Sequence, residues 1–139
     1  MKRVLIDTNV VLDFYLQLPE FFEAADKIFQ AIRNRKIIAC LSASVVTDLY
    51  YMLERRVNEK YAREVVEIIY ATFRILTVDR RTIREALDAP MADFEDAVQA
   101  VAIQKIGVNV IVTRDKIGFL DSGLNVYSPE EFLKTLINS

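Results

Sequence analysis

Short apolar runs alternate with amphipathic helical stretches along this chain of 139 residues, and that alternation limits its fold more than any other feature. The runs read as strands over about residues 3–7, 36–42, 74–78, 108–113 and 125–128. Between them the apolar residues recur at helical spacing. A short helix follows the first strand through VVLDFYLQ, and Pro19 is placed to open a longer one through EFFEAADKIFQAIRNR. A helix from about Ala43 to Arg56 leaves the second strand. Asn58 and Asp79 are expected to cap the next two helices, Gly107 to close the one after Pro90, and Pro129 to start the last. Strands and helices in this order build an α/β fold, a mainly parallel sheet with helices on both faces. The length and the 53% hydrophobic content suit a single domain over residues 1–139 with its own core.

Composition removes whole classes of chemistry. There is no histidine, which excludes Ser-His-Asp and Cys-His nucleophiles, histidine acid–base ribonucleases and most zinc sites. Three glycines leave little from which to build a phosphate loop. The one cysteine, Cys40 in IIACL, reads as a small core residue, and the absence of a disulfide framework points to a reducing cytoplasm. Asp7 ends the first apolar run too early for a signal peptide, and no stretch approaches the roughly 18 apolar residues of a membrane span.

What remains is carboxylate chemistry. In open parallel sheets, ligands bind beyond the carboxyl ends of the strands. Asp7 lies at one such end, in VLIDTNVVLD, and Thr113-Arg114-Asp115 at another. Asp48 lies on the helix leaving the second strand, where Val45, Asp48, Leu49 and Met52 follow the spacing of an inward stripe. Asp93 and Asp96 open a helix running antiparallel to the strand it feeds, so both start at the same edge. Each acid has an ordinary explanation when taken singly. Asp93 can be a cap, Asp7 a turn residue, Asp96 a first-turn acid and Asp115 a solvated loop residue. None of these explains five acids from four segments converging on one edge.

Two carboxylates about 4 Å apart repel by roughly 4 kcal/mol at an effective dielectric near 20, so such a cluster takes up protons or a cation. An all-oxygen donor set suits Mg²⁺ or Mn²⁺, ions that promote phosphodiester hydrolysis. Asn9 and Thr113 would orient the carboxylates. The formal charge is −2, yet setting aside the five candidate ligands leaves 15 acids against 18 Lys and Arg. Arg114 and Lys116 are placed to steer a polynucleotide strand, and Tyr50 and Tyr51 either stack bases or pack in a core or dimer.

LIDTNVVLD, TDLYYML, DFEDAVQAVAI and IVTRDKIGF, in that order, resemble the acidic motifs of the PIN-domain nucleases, and SPEEFL resembles their closing helix. The resemblance spans nearly the whole chain. It implies a three-layer α/β/α sandwich and a Mg²⁺- or Mn²⁺-dependent endoribonuclease. It assigns Asp7, Asp48, Asp96 and Asp115 as site acids supported by Asn9 and Thr113, with Asp93 one turn before Asp96. It also implies frequent homodimers and, for many small members, toxins held by a cognate antitoxin. The family more often has Glu where this chain has Asp48, one methylene shorter. Two other readings are an inactive PIN-like module that binds RNA or protein, and a haloacid-dehalogenase-like phosphotransferase. The second normally needs an acid two residues after Asp7, where Asn9 stands.

Overall fold

In the computed structural model, which describes residues 2–137, five strands form one parallel sheet. They are β1 (Lys2–Ile6), β2 (Ile37–Ser42), β3 (Arg74–Leu76), β4 (Val110–Val112) and β5 (Asn125–Tyr127), in spatial order β3-β2-β1-β4-β5. The helices are α1 (Thr8–Tyr15), α2 (Phe22–Arg33), α3 (Ala43–Arg56), α4 (Glu59–Thr72), α5 (Arg80–Asp88), α6 (Phe94–Lys105) and α7 (Pro129–Ile137), with a single 3₁₀ turn at Ile117–Phe119. The chain therefore leaves β1 to one side for β2 and returns on the other side as β4. The crevice between the carboxyl ends of β1 and β4 is the topological switch point, where such sheets bind ligands.

Alternation along the strands divides the core. Val4, Ile6, Ile37, Ala39, Leu41 and Val112 face one way, into a cluster with residues of α1, α2, α3, α4 and α7. Leu5, Cys40, Leu76 and Ile111 face the other way, against Ala102 and Ile103 of α6 and Phe119. The register agrees, because Leu5 pairs with Cys40 on one side and with Ile111 on the other. α5 then packs outside α6 through Ala86, Ala97 and Val98. This is the three-layer α/β/α sandwich, with the sheet wholly parallel. Cys40 is fully buried in it, and among the described residues no helix is long and apolar enough to cross a membrane.

Local chemistry explains most boundaries. Asn58 Oδ1 accepts from the Tyr61 amide at 2.7 Å, and Asp79 forms a reciprocal capping box with Thr82. The helix expected from Pro19 begins later, at Phe22: Pro19 lies in a turn, and the Leu18 carbonyl accepts from both the Phe21 and Phe22 amides. The inward stripe of α3 is Val45, Leu49 and Leu53, at four-residue steps, so Met52 turns off it and is 40% exposed. Tyr50 packs against the core while Tyr51 projects outward.

Three helices end in the same two-bond motif. After α6, Gly107 takes φ 76°, its amide donates to the Gln104 carbonyl and Val108 donates to that of Ile103. After α1 and α2 the left-handed position is held by Gln17 (φ 51°) and Arg35 (φ 56°), with the equivalent bonds. An L side chain is strained there by about 1–2 kcal/mol, offset in part by the chain entropy that glycine loses. Arg35→Gly is therefore expected to stabilise the protein by about 0.5–1 kcal/mol, roughly 2–4 °C in Tm. Gly107→Ala should lower Tm although no atom would touch the new Cβ. Thermal melts check both, and an unchanged or lower Tm for Arg35→Gly would contradict the first.

Candidate functional site

Asp7 is the residue just beyond β1, and its own amide donates to the Val112 carbonyl at 3.0 Å, carrying the β1–β4 pairing one step further. It is only 6% exposed. Its side chain caps α1 through a 2.7 Å bond from the Thr8 amide to Oδ1. Across the switch point, Thr113 is fully buried and donates its hydroxyl to Asp7 Oδ2 at 2.7 Å. Two longer bonds complete the shell, from Asn9 Nδ2 to Oδ2 at 3.3 Å and from Gln99 Nε2 to Oδ1 at 3.4 Å. Among the described residues the Asp7 carboxylate thus has four donors and no cationic partner.

Thr113 is the hub of the β4 side. Its oxygen also accepts from the Asp115 amide at 2.9 Å and from Asn9 Nδ2 at 3.4 Å. Asp115 Oδ1 in turn accepts from the Gly118 amide at 3.1 Å. A Cβ built on Gly118 would stand 2.6 Å from Asp115 Oδ2 and 3.2 Å from Asp96 Oδ2. Those two carboxylates therefore converge on one point, and glycine is the residue that leaves room for both.

α6 brings Asp96 and Gln99 to the cluster from one face, and the small Ala97 and Ala100 lie buried beside them. Asp93 caps this helix, accepting from the Asp96 amide at 2.9 Å, while remaining exposed itself. Asp48 is half-buried on the second turn of α3, beside the inward stripe, and among the described residues it has no hydrogen-bond or ion-pair partner. The two cations beside Asp115 are engaged elsewhere: Arg114 grips Asp13, and Lys116 reaches Glu131 at 2.9 Å. Sequence reasoning passed over Gln99, Asp13 and Gly118. A polar residue three positions after Asp96, on a face otherwise lined with alanine, was the available sign for Gln99.

Electrostatics point to a cation. Burial is the largest influence raising the Asp7 carboxyl above its ordinary range, against the Thr113, Thr8 and Gln99 hydrogen bonds, and the Asp115 charge raises it further. Asp96 is pushed up to about 7, first by burial and then by the charges of Asp7, Asp93, Asp115 and Glu95. Asp48 is not among the principal charges acting on either group. The available ligand atoms are carboxylate, amide and hydroxyl oxygens, and Gln99 Oε1 is buried with no partner among the described residues. Among the described residues no three acidic or sulfur side chains close into a ready-made metal cage. An open all-oxygen site fits Mg²⁺, which retains several waters and takes one or two carboxylates directly.

This gives a pH test on cation-free protein. Asp96 has a folded pKa of about 7 against 3.8 unfolded, so its contribution to stability is complete below about 3.8 and is lost as pH rises through 7. Asp7 acts in the same direction. Asp79 is lowered and Glu131 sits at about 2, so both complete their contributions below this window. In chelator, Tm should therefore fall between pH 5 and pH 8, and Asp96→Asn should flatten that fall and melt higher than the parent at pH 8. Equal or higher stability of the parent at pH 8 would contradict the electrostatic account.

The PIN domain family matches residues 3–117. Ribonuclease VapC1 of Aquifex aeolicus (strain VF5) is 23% identical over 136 residues, covering 94% of this chain and 93% of that protein. Among solved structures, DNA-bound VapBC from Salmonella typhimurium aligns at a TM-score of 0.69 and 19% identity, over 93% of this chain and 99% of that one. VapC20 of Mycobacterium tuberculosis, described as a Sarcin-Ricin loop cleaving toxin, aligns at 0.64 and 16%, over 78% and 86%. At such identities the structural likeness carries the fold, while the family match covers both the β1 edge and the β4 edge of the acidic cluster. The chain belongs to the PIN-domain family.

Proposed function

We propose that this protein is a divalent-metal-dependent endoribonuclease that hydrolyses RNA phosphodiester bonds at the Asp7–Asp96–Asp115 cluster, acting as the toxin of a toxin–antitoxin pair. The observation that carries the reading is the convergence of three carboxylates from three chain segments, with neutral donors holding Asp7 and Asp115 without cancelling their charge. The likeness to a VapC ribonuclease supports RNA as substrate, and the likeness to VapBC complexes supports an antitoxin partner. The outward aromatics Tyr51 and Tyr70 on α3 and α4 support a homodimer, and the reducing compartment read from Cys40 supports a cytoplasmic site of action.

Asp7, Asp96 and Asp115 would hold Mg²⁺ or Mn²⁺, with Asp48 and Asp93 completing the acidic surroundings, Asp93 while it caps α6. When bound, such an ion polarises a phosphoryl oxygen and acidifies a water for attack. The chain supplies orientation. Thr113 and the Thr8 amide fix Asp7 with short bonds, and the Gly118 amide fixes Asp115. The longer bonds from Asn9 and Gln99 are the weaker ones, so these two amides would orient Asp7 without locking it.

Asp7→Asn and Asp96→Asn are expected to abolish RNA cleavage and Mn²⁺ uptake by calorimetry while leaving the circular dichroism spectrum unchanged. Thr113→Val should cost about 10–100-fold in activity or ion affinity. Chelation should stop cleavage and added Mn²⁺ restore it. An Asp96→Asn protein that cuts RNA at the parent rate would overturn the assignment.

A further inference from the structure

Asp13 is a charged residue in the core, 1% exposed, with no place in the acidic cluster. Its carboxylate accepts two bonds from one guanidinium, Arg114 Nε to Oδ2 at 2.7 Å and Nη2 to Oδ1 at 3.1 Å. The same guanidinium lies 3.7 Å from the centroid of the Phe21 ring. The segment after β4 thus meets α1 and the turn before α2, which lie about a hundred residues earlier in the chain.

The position of Arg114 gives the pair its meaning. It stands between Thr113 and Asp115, which point back to the cluster. Its amide donates to Asn9 Oδ1 at 3.3 Å, and Asn9 lies one helical turn before Asp13 on α1. Arg114 therefore grips α1 at two successive turns, by main chain and by side chain, while Thr113 bonds Asp7 at the start of that helix. These contacts form a ring around the switch point.

We propose that Asp13 and Arg114 are positioning residues, their two-bond ion pair under Phe21 holding the Thr113–Asp115 segment against Asp7 and so setting the geometry in which the carboxylates receive a divalent cation. The inference rests on the metal-dependent reading above. A lysine at 114 keeps the charge and loses the fork and the ring contact, so it separates geometry from electrostatics.

The experiment compares Arg114→Lys and the milder Phe21→Leu with the parent in two readouts. Calorimetry with Mn²⁺ should show affinity reduced by about 10–100-fold for Arg114→Lys and less for Phe21→Leu. Amide hydrogen exchange on cation-free protein should show selective acceleration at Asp115 and Gly118 in both variants, with the strands β1 and β2 unchanged. Unaltered ion affinity with exchange raised evenly over the protein would reduce the pair to a structural tie and overturn the proposal. Should Arg114→Lys fail to fold, Phe21→Leu decides by the same criteria. If the parent itself neither binds Mn²⁺ nor cleaves RNA, the nuclease reading falls. The exchange pattern then still judges whether the pair holds the segment, selective acceleration sustaining that role and even acceleration removing it.

Discussion

The 2.7 Å bond from Thr113 to Asp7 joins the carboxyl ends of β1 and β4 at the one place where the sheet changes direction. A carboxylate with so little exposure is costly unless several donors face it, and a fold of this order supplies them there. The strand ladder brings Val112 against the Asp7 amide, which sets Thr113 beside the carboxylate, and α1 offers its first amide from the other side. Everything else at the site is arranged around a negative charge that is hydrogen-bonded but not neutralised.

That leaves the remaining acids with a field they cannot escape. α6 starts at the same edge and sets Asp96 within the field of Asp7, and Gly118 lets Asp115 approach from the third side. Neutral donors can orient carboxylates without relieving their mutual repulsion, which is worth roughly 4 kcal/mol for a close pair at a dielectric near 20. Basic residues near the site do not relieve it either, because the two beside Asp115 are paired with Asp13 and Glu131. These two cations hold the loop in place and leave the acidic cluster itself uncompensated, an arrangement suited to an ion that arrives from solvent with part of its water shell.

The sheet and most of the helices were legible because their signals are local. The short apolar runs of the strands, the caps Asn58 and Asp79, and Gly107 are each read within a few residues. Asp7, Asn9, Thr113, Asp96 and Asp115 could be brought to one edge from the direction of the strands and helices alone. The side-chain geometry was less accessible. Spacing on α3 suggested Met52 inward with Asp48, whereas the stripe drifts by four-residue steps and leaves Asp48 at its flank. The partner of Asp13 lies 101 residues away, beyond any periodicity argument. Pro19 is a good first helical residue, yet the Leu18 carbonyl draws the Phe21 and Phe22 amides into a turn first, and it is tertiary contact with Arg114 that gives Phe21 a reason to stand outside the helix.

The strained residues fit the same logic. Gln17 and Arg35 both take left-handed backbone where glycine is easier, in a chain with only three glycines. Arg35 lies before β2, far along the chain from any site residue, and its strain has no counterpart at the acidic edge. Gln17 lies four residues from Phe21, and the turn it begins carries the ring over the Arg114 guanidinium. In the same turn the Leu18 amide donates to the Asp13 carbonyl at 3.1 Å, so one residue is held by its side chain to β4's exit and by its main chain to the α1–α2 connection. Strain at Gln17 is thus confined between contacts that over-determine it, the condition under which an unfavourable conformation persists beside a working site.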